Sequence, residues 1–333
     1  MEFQNKHKIQ KLKELIQQEL TPLITNDYVL LDVPNHRNIG DNLIWKGELD
    51  FLKEIPFKKL YSANMHTYQY DKVPTGATIL LHGGGNFGDF YVASQTHRNN
   101  IIKAFPENDI IVFPQTIYYS DEKKLEKDSS IFNNHKKLTI CVRDLKSQKL
   151  LSKYIPVDKI KLLPDMAFCM NLEKFHSSDK TGKNLYMKRM DNELNLDYET
   201  QSIFNFLKEG KPTLIEEKDW PTFSNKPLKN KVNSKRDALE SKASKILLKL
   251  PVLNNIVSDE FGLNPKSNMD KHIRNGVKFL NSYDKIATTR LHGFILSVLL
   301  NKEVGIVDNS YGKNSNFYNT WMQDFDKISL IQK

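Results

Sequence analysis

Short, continuously apolar runs recur along the chain, separated by stretches whose apolar positions follow a helical period. Tyr28 to Val33, Thr78 to Leu81, Ile110 to Phe113, Leu138 to Val142 and Ile160 to Leu163 have the length and near-continuous apolarity of buried parallel strands. A second series stands in the C-terminal half at Leu185 to Met187, Ile286 to Thr288 and Val304 to Val307, with Pro212 to Ile215 a weaker member. Alternating strand and helix patterns of this kind predict two α/β layers. Between them, residues 171 to 183 lose periodicity and turn polar, which divides the chain into 1–172 and 183–333. No internal repeat is visible.

Open parallel sheets place their ligand crevices just past the C-terminal ends of the strands. At those positions the chain carries Asn38-Ile39-Gly40-Asp41-Asn42, His82-Gly83-Gly84-Gly85-Asn86, Pro114-Gln115-Thr116, Arg143-Asp144 and Pro164-Asp165 in the first half. The second half supplies Lys188-Arg189 with Asp191 and Glu193, then Arg290-Leu291-His292-Gly293, and Asp308 to Lys313. If both sheets point these edges at one cleft, Arg143, Arg189, Arg290 and Lys313 converge around a highly anionic small molecule.

Composition narrows this only slightly. The 333 residues carry 49 Lys and Arg against 40 Asp and Glu, a formal charge of +9 that favours anionic partners without choosing among them. Cys141 and Cys169 each lie in an apolar run and read as small buried hydrophobes rather than a disulfide. The polar N-terminus leads into Leu12, Leu15, Ile16 and Leu20 at helical spacing, so neither a signal nor a transit peptide is expected, and the protein is expected in the cytoplasm. No run reaches the roughly 18 apolar residues of a membrane span. Metal and nucleic-acid motifs are missing from the sequence, so no metal site, no cofactor and no nucleic-acid partner is expected.

Each motif has a plain reading beside a functional one. Gly83, Gly84 and Gly85 with Asn86 have the form of an anion nest at a strand-to-helix turn, or of a tight turn without a ligand. Asp41 is either a helix cap or a carboxylate able to accept a hydroxyl proton. Arg290 and His292 are the sharpest pair: a helix beginning there presents a planar guanidinium and a group that exchanges protons near neutral pH, with Phe294, Ile295, Val298 and Leu299 buried behind. His82 is distinguished from the other histidines only by adjoining the glycine run. For Asp144, Asp165 and Glu193 a structural ion pair with a nearby Arg competes with any role in chemistry.

The ordered series Asn38-x-Gly40-Asp41-x-x-Ile44-x-x-Gly47, Gly83-Gly84-Gly85-Asn86, Pro114-Gln115, Arg143-Asp144-x-x-Ser147, Asp165-x-Ala167-Phe168 and Arg290-Leu291-His292-Gly293 resembles the polysaccharide pyruvyl transferases from about residue 35 to residue 313. Met166 and Val304 stand where that family often has proline. The resemblance implies a GT-B-like pair of Rossmann-type domains with parallel sheets facing a central cleft. It also implies phosphoenolpyruvate as donor, and a cyclic pyruvate ketal placed on a sugar of a cell-surface glycan or lipid-linked precursor. Arg290 and His292 then belong to the donor site. Phosphoenolpyruvate carries a carboxylate and a phosphate on three carbons, a demand that Arg290, Arg143, Arg189 and Lys313 can meet. Asn38, Gly83 to Asn86 and Gln115 are further expected binding residues. His292 is the expected acid, Asp41 or Asp165 the expected base, and closure of the two domains the expected means of excluding water.

Between Lys226 and Lys249 stand eight Lys or Arg and two acidic residues, with Leu239, Ala243, Ile246, Leu247 and Leu250 on one helical face. This segment, 226–250, fits either an anionic inner leaflet of the plasma membrane or a helix packed on the second domain. Two other functions stay open: a GT-B nucleotide-sugar glycosyltransferase, and a non-catalytic protein that binds an anionic glycan.

Overall fold

A computed structural model describes residues 2–172, 181–191, 193–195, 200–208, 214–223, 227–250, 257–263 and 269–332. The first half runs α1 (Glu2–Leu20), β1 (Tyr28–Leu31), α2 (Ile39–Leu52), β2 (Lys59–Ala63), β3 (Thr78–Leu81), β4 (Gly84–Gly88), α3 (Val92–Ala104), β5 (Ile110–Tyr118), α4 (Glu122–Asn134), β6 (Leu138–Val142), α5 (Leu145–Leu151) and β7 (Ile160–Leu162). The second runs β8 (Lys183–Met187), α6 (Thr200–Lys208), β9 (Leu214–Lys218), α7 (Pro227–Leu247), α8 (Met269–Asn281), β10 (Lys285–Thr288), α9 (Leu291–Leu299), β11 (Glu303–Val307), α10 (Lys313–Trp321) and β12 (Ile328–Ile331).

Each half is built on an all-parallel sheet. The first has seven strands in the order β2-β1-β3-β5-β6-β7, with β4 beside β5, and the second has five in the order β12-β11-β10-β8-β9. The protein is therefore α/β and Rossmann-like twice over, in a GT-B-like arrangement. Strands buried on both faces must be apolar throughout, which is why β1, β3 and β6 were readable as continuous runs.

The strands that periodicity missed, or in the case of β9 placed only in part, are those in which another pressure shapes the residues. β2 and β12 are edge strands with mixed burial. In β9 the charged half, Glu216 to Lys218, is the strand's second half, while Pro212 and Thr213 lie outside the described residues, as do 173–180 of the expected boundary. β4 is the glycine run itself. Gly84 and Gly88 take φ of 126° and 122°, and the segment pairs with the far end of β5 instead of turning into a helix. Any side chain would strain both positions, and at Gly88 a Cβ would also meet the Tyr118 carbonyl oxygen at 1.7 Å.

One apolar cluster passes under both sheets without a break, from Leu30, Phe113 and Cys141 through Leu43 and Ile44 of α2 to Ile286, Ile295 and Val304. Helix α2 is its axis. Gly47 lets α2 close on the turn at Met166, where a Cβ would stand 1.9 Å from the carbonyl oxygen. A buried apolar joint of this kind resists rigid-body movement of one half against the other. Among the described residues no helix is long and apolar enough to cross a membrane.

Candidate active site

Because every strand in a sheet runs the same way, each sheet delivers its C-terminal loops to one edge, and the two edges face each other across a cleft of about 510 Å³. Asn38, Gly40 and Asp41 reach it from the start of α2, and Gly83, Gly85 and Asn86 from the segment after β3. Arg143 comes from the end of β6, Arg189 from the end of β8, Arg290 and His292 from the end of β10, and Lys313 from the start of α10. Gly84, Gln115 and Asp165 do not line it. Gln115 is wholly buried and donates to the His82 carbonyl and to Asn86 Oδ1, so it shapes the glycine segment from behind.

The four cations converge as the sequence led us to expect, but each arrives already paired with a carboxylate. Arg143 donates Nη1 to Asp165 Oδ2 at 2.5 Å and Nε to Thr116 Oγ1 at 2.9 Å. Arg189 donates to Asp191 at 2.6 Å and to Glu193 at 2.7 Å, and Lys313 donates to the same Glu193 oxygen at 2.5 Å. Arg290 grips Asp219 with Nε and, at 2.6 Å, Nη2, which also reaches Asp191 at 3.1 Å. Four carboxylates thus neutralise four cations and fix their forks. Among the described residues one terminal nitrogen on each guanidinium finds no protein acceptor: Nη2 of Arg143, Nη2 of Arg189 and Nη1 of Arg290. Those donors are free for a ligand.

Local charge sets the protonation of this cluster. Burial raises Glu193, but Lys313 and Arg189 outweigh it and hold the carboxyl well below the usual range. Burial lowers Lys313 to about 8, with Arg189 and Arg143 adding to the depression that Glu193 opposes. The two partners move down for different reasons: burial lowers the ammonium, whereas the neighbouring cations lower the carboxyl. Asp165 behaves alike: burial raises it, His292 and Arg143 overcome that, and the Ala167 N–H adds to the result, leaving it ionised.

His292 is the second residue of α9, and its Nε2 lies 3.3 Å from the Asp165 oxygen that also holds Arg143. The two side chains are therefore coupled through one buried acceptor. Gly40 makes room for the imidazole, since a Cβ there would stand 2.7 Å from His292 Nδ1. Gly40→Ala is expected to displace His292 and cut turnover by about tenfold or more, with little change in the thermal midpoint, because the clash falls on a side chain at the rim. Steady-state kinetics beside a melting curve checks this.

The structure separates the plain readings from the functional ones. The cap of α2 is Asn38, whose side chain accepts from Gly40 N at 3.1 Å, so Asp41 is not needed as a cap. Asp41 instead accepts from Asn38 Nδ2 at 2.8 Å and faces His36 at 3.4 Å, partly exposed in the cleft. Among the described residues Asp144 has no ion-pair partner. It caps α5 by accepting from Ser147 N and also takes the Ser147 and Thr116 hydroxyls. Asp165 and Glu193 are ion-paired: Glu193 to the nearby Arg189 and also to distant Lys313, and Asp165 to Arg143, which its local sequence does not supply.

Four participants were missed. Asp219 anchors Arg290 from the end of β9, and Tyr91 donates to Glu193 at 2.8 Å. Glu48 accepts from His82 Nδ1 and from Gly83 N, both at 2.8 Å, beneath the glycine segment, while Trp220 lines the opposite wall. Burial opposes the charged form of both groups: it raises Glu48 despite His82, while at His82 the Glu48 carboxylate outweighs burial and raises the imidazole above its ordinary value. Asp219 follows a strand end, but the expected strand, Pro212 to Ile215, stops short of the charged half of β9 that leads to it. Nothing in the spacing pointed to Glu48.

The sequence profile of the polysaccharide pyruvyl transferases matches residues 38–311. EpsO of Bacillus subtilis (strain 168), provisionally named a pyruvyl transferase, is 30% identical over 92% of this chain and 89% of its own. Pyruvyl transferase 1 of Schizosaccharomyces pombe is 26% identical over 91% of this chain and 72% of its own. The solved structure of a functionally uncharacterised protein from Klebsiella pneumoniae subsp. pneumoniae NTUH-K2044 superimposes with a TM-score of 0.60, covering 97% of this chain and 99% of that one at 20% identity, which establishes the shared fold.

Proposed function

The chain belongs to the polysaccharide pyruvyl transferase family and is an enzyme of it, and from that premise we propose that it moves pyruvate from phosphoenolpyruvate onto two hydroxyls of one sugar in a cell-surface glycan precursor. The product is a cyclic ketal and the leaving group is phosphate. The observation that carries this reading is the cluster of Arg143, Arg189, Arg290 and Lys313 on one cleft, with unused guanidinium donors, beside a histidine held by a buried carboxylate. A small ligand bearing both carboxylate and phosphate matches that arrangement.

In this mechanism Arg143, Arg189 and Lys313 hold the donor's charges near Gly85, which a Cβ would fill 3.1 Å from Arg143 Nη2. His292 protonates the methylene carbon, and the positive charge formed at the adjacent carbon is attacked by the first hydroxyl. Phosphate then leaves, with the arginines stabilising its charge, and the second hydroxyl closes the ring. Of the two hydroxyl protons, one balances that placed on the new methyl group and the other leaves with phosphate. Asp41 is the proposed base, since it borders the cleft. Asp165 stands behind His292 with both oxygens engaged, and is assigned to positioning. The reaction is placed in the cytoplasm, where a phosphoenolpyruvate donor is made.

Calorimetric titration with phosphoenolpyruvate, UDP and GDP tests the donor. Binding of phosphoenolpyruvate alone supports the reading, whereas binding of a nucleotide without phosphoenolpyruvate replaces it with glycosyl transfer. The Lys313 ammonium adds a pH signature. Below its value of about 8 it is charged and donor affinity is flat. Above that value deprotonation weakens binding by up to about tenfold per pH unit, and Lys313→Arg is expected to abolish the dependence.

A further inference from the structure

Helix α7 carries a face that the rest of the molecule leaves uncovered. Val232, Leu239 and Ile246 are 61%, 68% and 63% exposed, and Leu250 just past the helix end is 44% exposed. The first three are spaced by seven residues, so they form one stripe along the helix. Lys235, Lys242 and Lys249 repeat at the same interval three residues on, which sets a row of exposed ammonium groups along one border of the stripe, and exposed Arg236 stands on the other. Among the described residues those three lysines have no acidic partner. The opposite side holds the helix to the body: Asp237 accepts from Arg37 at 2.9 Å, and buried Ser244 packs at Gly262. The expected alternative, in which the apolar face packs on the second domain, is not what the structure has.

We propose that this face of α7 docks on an anionic lipid surface, with Leu239 and Ile246 entering the interface and the lysine row meeting headgroup charge. Charge decides between this occupant and a second copy of the chain. Two such faces brought together would set lysine row near lysine row with only Glu240 to offset them, whereas an anionic leaflet complements the row along its whole length. Position adds a consequence. Asn233 and Asp237 of the same helix line the active-site cleft, so docking by α7 holds the cleft's rim at the lipid headgroups, where an acceptor carried on a lipid is presented.

The test uses the full chain and vesicles, with no acceptor and no pyruvyl chemistry, so its outcome is independent of the donor assignment. Sedimentation with phosphatidylcholine vesicles containing about one third phosphatidylglycerol is expected to capture the protein at least about tenfold better than phosphatidylcholine alone, and added salt should reverse it. Lys235→Glu/Lys242→Glu/Lys249→Glu and, separately, Leu239→Asp/Ile246→Asp are expected to lose about tenfold or more of that binding, with the melting curve and phosphoenolpyruvate titration unchanged. Both double readouts guard against a misfolded variant, and all substituted positions are exposed. Absence of vesicle binding, or binding untouched by either set of substitutions, overturns the proposal. A self-association removed by Leu239→Asp/Ile246→Asp also overturns it and assigns the face to a dimer.

Discussion

Arg143→Met is expected to remove measurable phosphoenolpyruvate binding and to lower turnover by about a thousandfold or more. The residue is 1% exposed, yet it delivers Nη2 to the cleft from a fork fixed by Thr116 and Asp165. The same substitution strands a wholly buried carboxylate with only His292 and the Ala167 N–H to answer it, at a cost of about 3–5 kcal/mol. Binding and stability must therefore be read apart. Arg143→Met/Asp165→Asn removes the stranded charge, and is expected to regain much of the thermal midpoint while phosphoenolpyruvate still fails to bind. If the double variant bound the donor normally, Arg143 would be a structural residue and the donor would lie elsewhere in the cleft.

His292→Gln is the second. The amide can keep a hydrogen bond to Asp165 and roughly the shape of the imidazole, but it cannot deliver a proton. Turnover is expected to fall by about 10²- to 10⁴-fold with donor affinity changed by less than about tenfold, a split between kcat and binding that separates proton transfer from positioning. Phosphate release in single-turnover experiments, beside calorimetry, measures both. A variant that keeps normal turnover removes His292 from the acid's role. Asp165→Asn bears on the same assignment from the other side: a positioning residue should slow the reaction and loosen Arg143 and His292 together, because both lean on its Oδ2.

The site also shows why a basic sequence charge was a poor guide to the cleft. Four cations do converge, but Asp165, Asp191, Glu193 and Asp219 balance them in a shared network of ion pairs. What remains for a ligand is direction, the unused N–H groups of fixed guanidinium forks, rather than a large net positive field. This organisation limits the cost of gathering like charges before the donor arrives and keeps the donor groups oriented when it does.

The sequence alone determined the parallel α/β layers and the line of residues at the strand ends. Buried strands must be apolar, and a residue following such a run is carried to the sheet's C-terminal edge by the strand itself, so Arg143, Arg189, Arg290, His292 and Lys313 could be placed on an edge from neighbours alone. The glycine run was visible, but its form was not. Whether three glycines turn into a helix or pair as β4 depends on the far half of β5, which the local sequence does not contain. Only the tertiary structure decided the pairings. Arg290 meets Asp219 across 71 positions, Lys313 meets Glu193 across 120, and His292 meets Asp165 across 127. It likewise set Asn38 rather than Asp41 as the cap, placed Glu48 beneath His82, and turned the apolar stripe of α7 outward. The reason is common to all of them. Hydrophobic periodicity is a property of adjacent residues, whereas the partner of a buried charge is chosen by which distant backbone the packed core brings within reach.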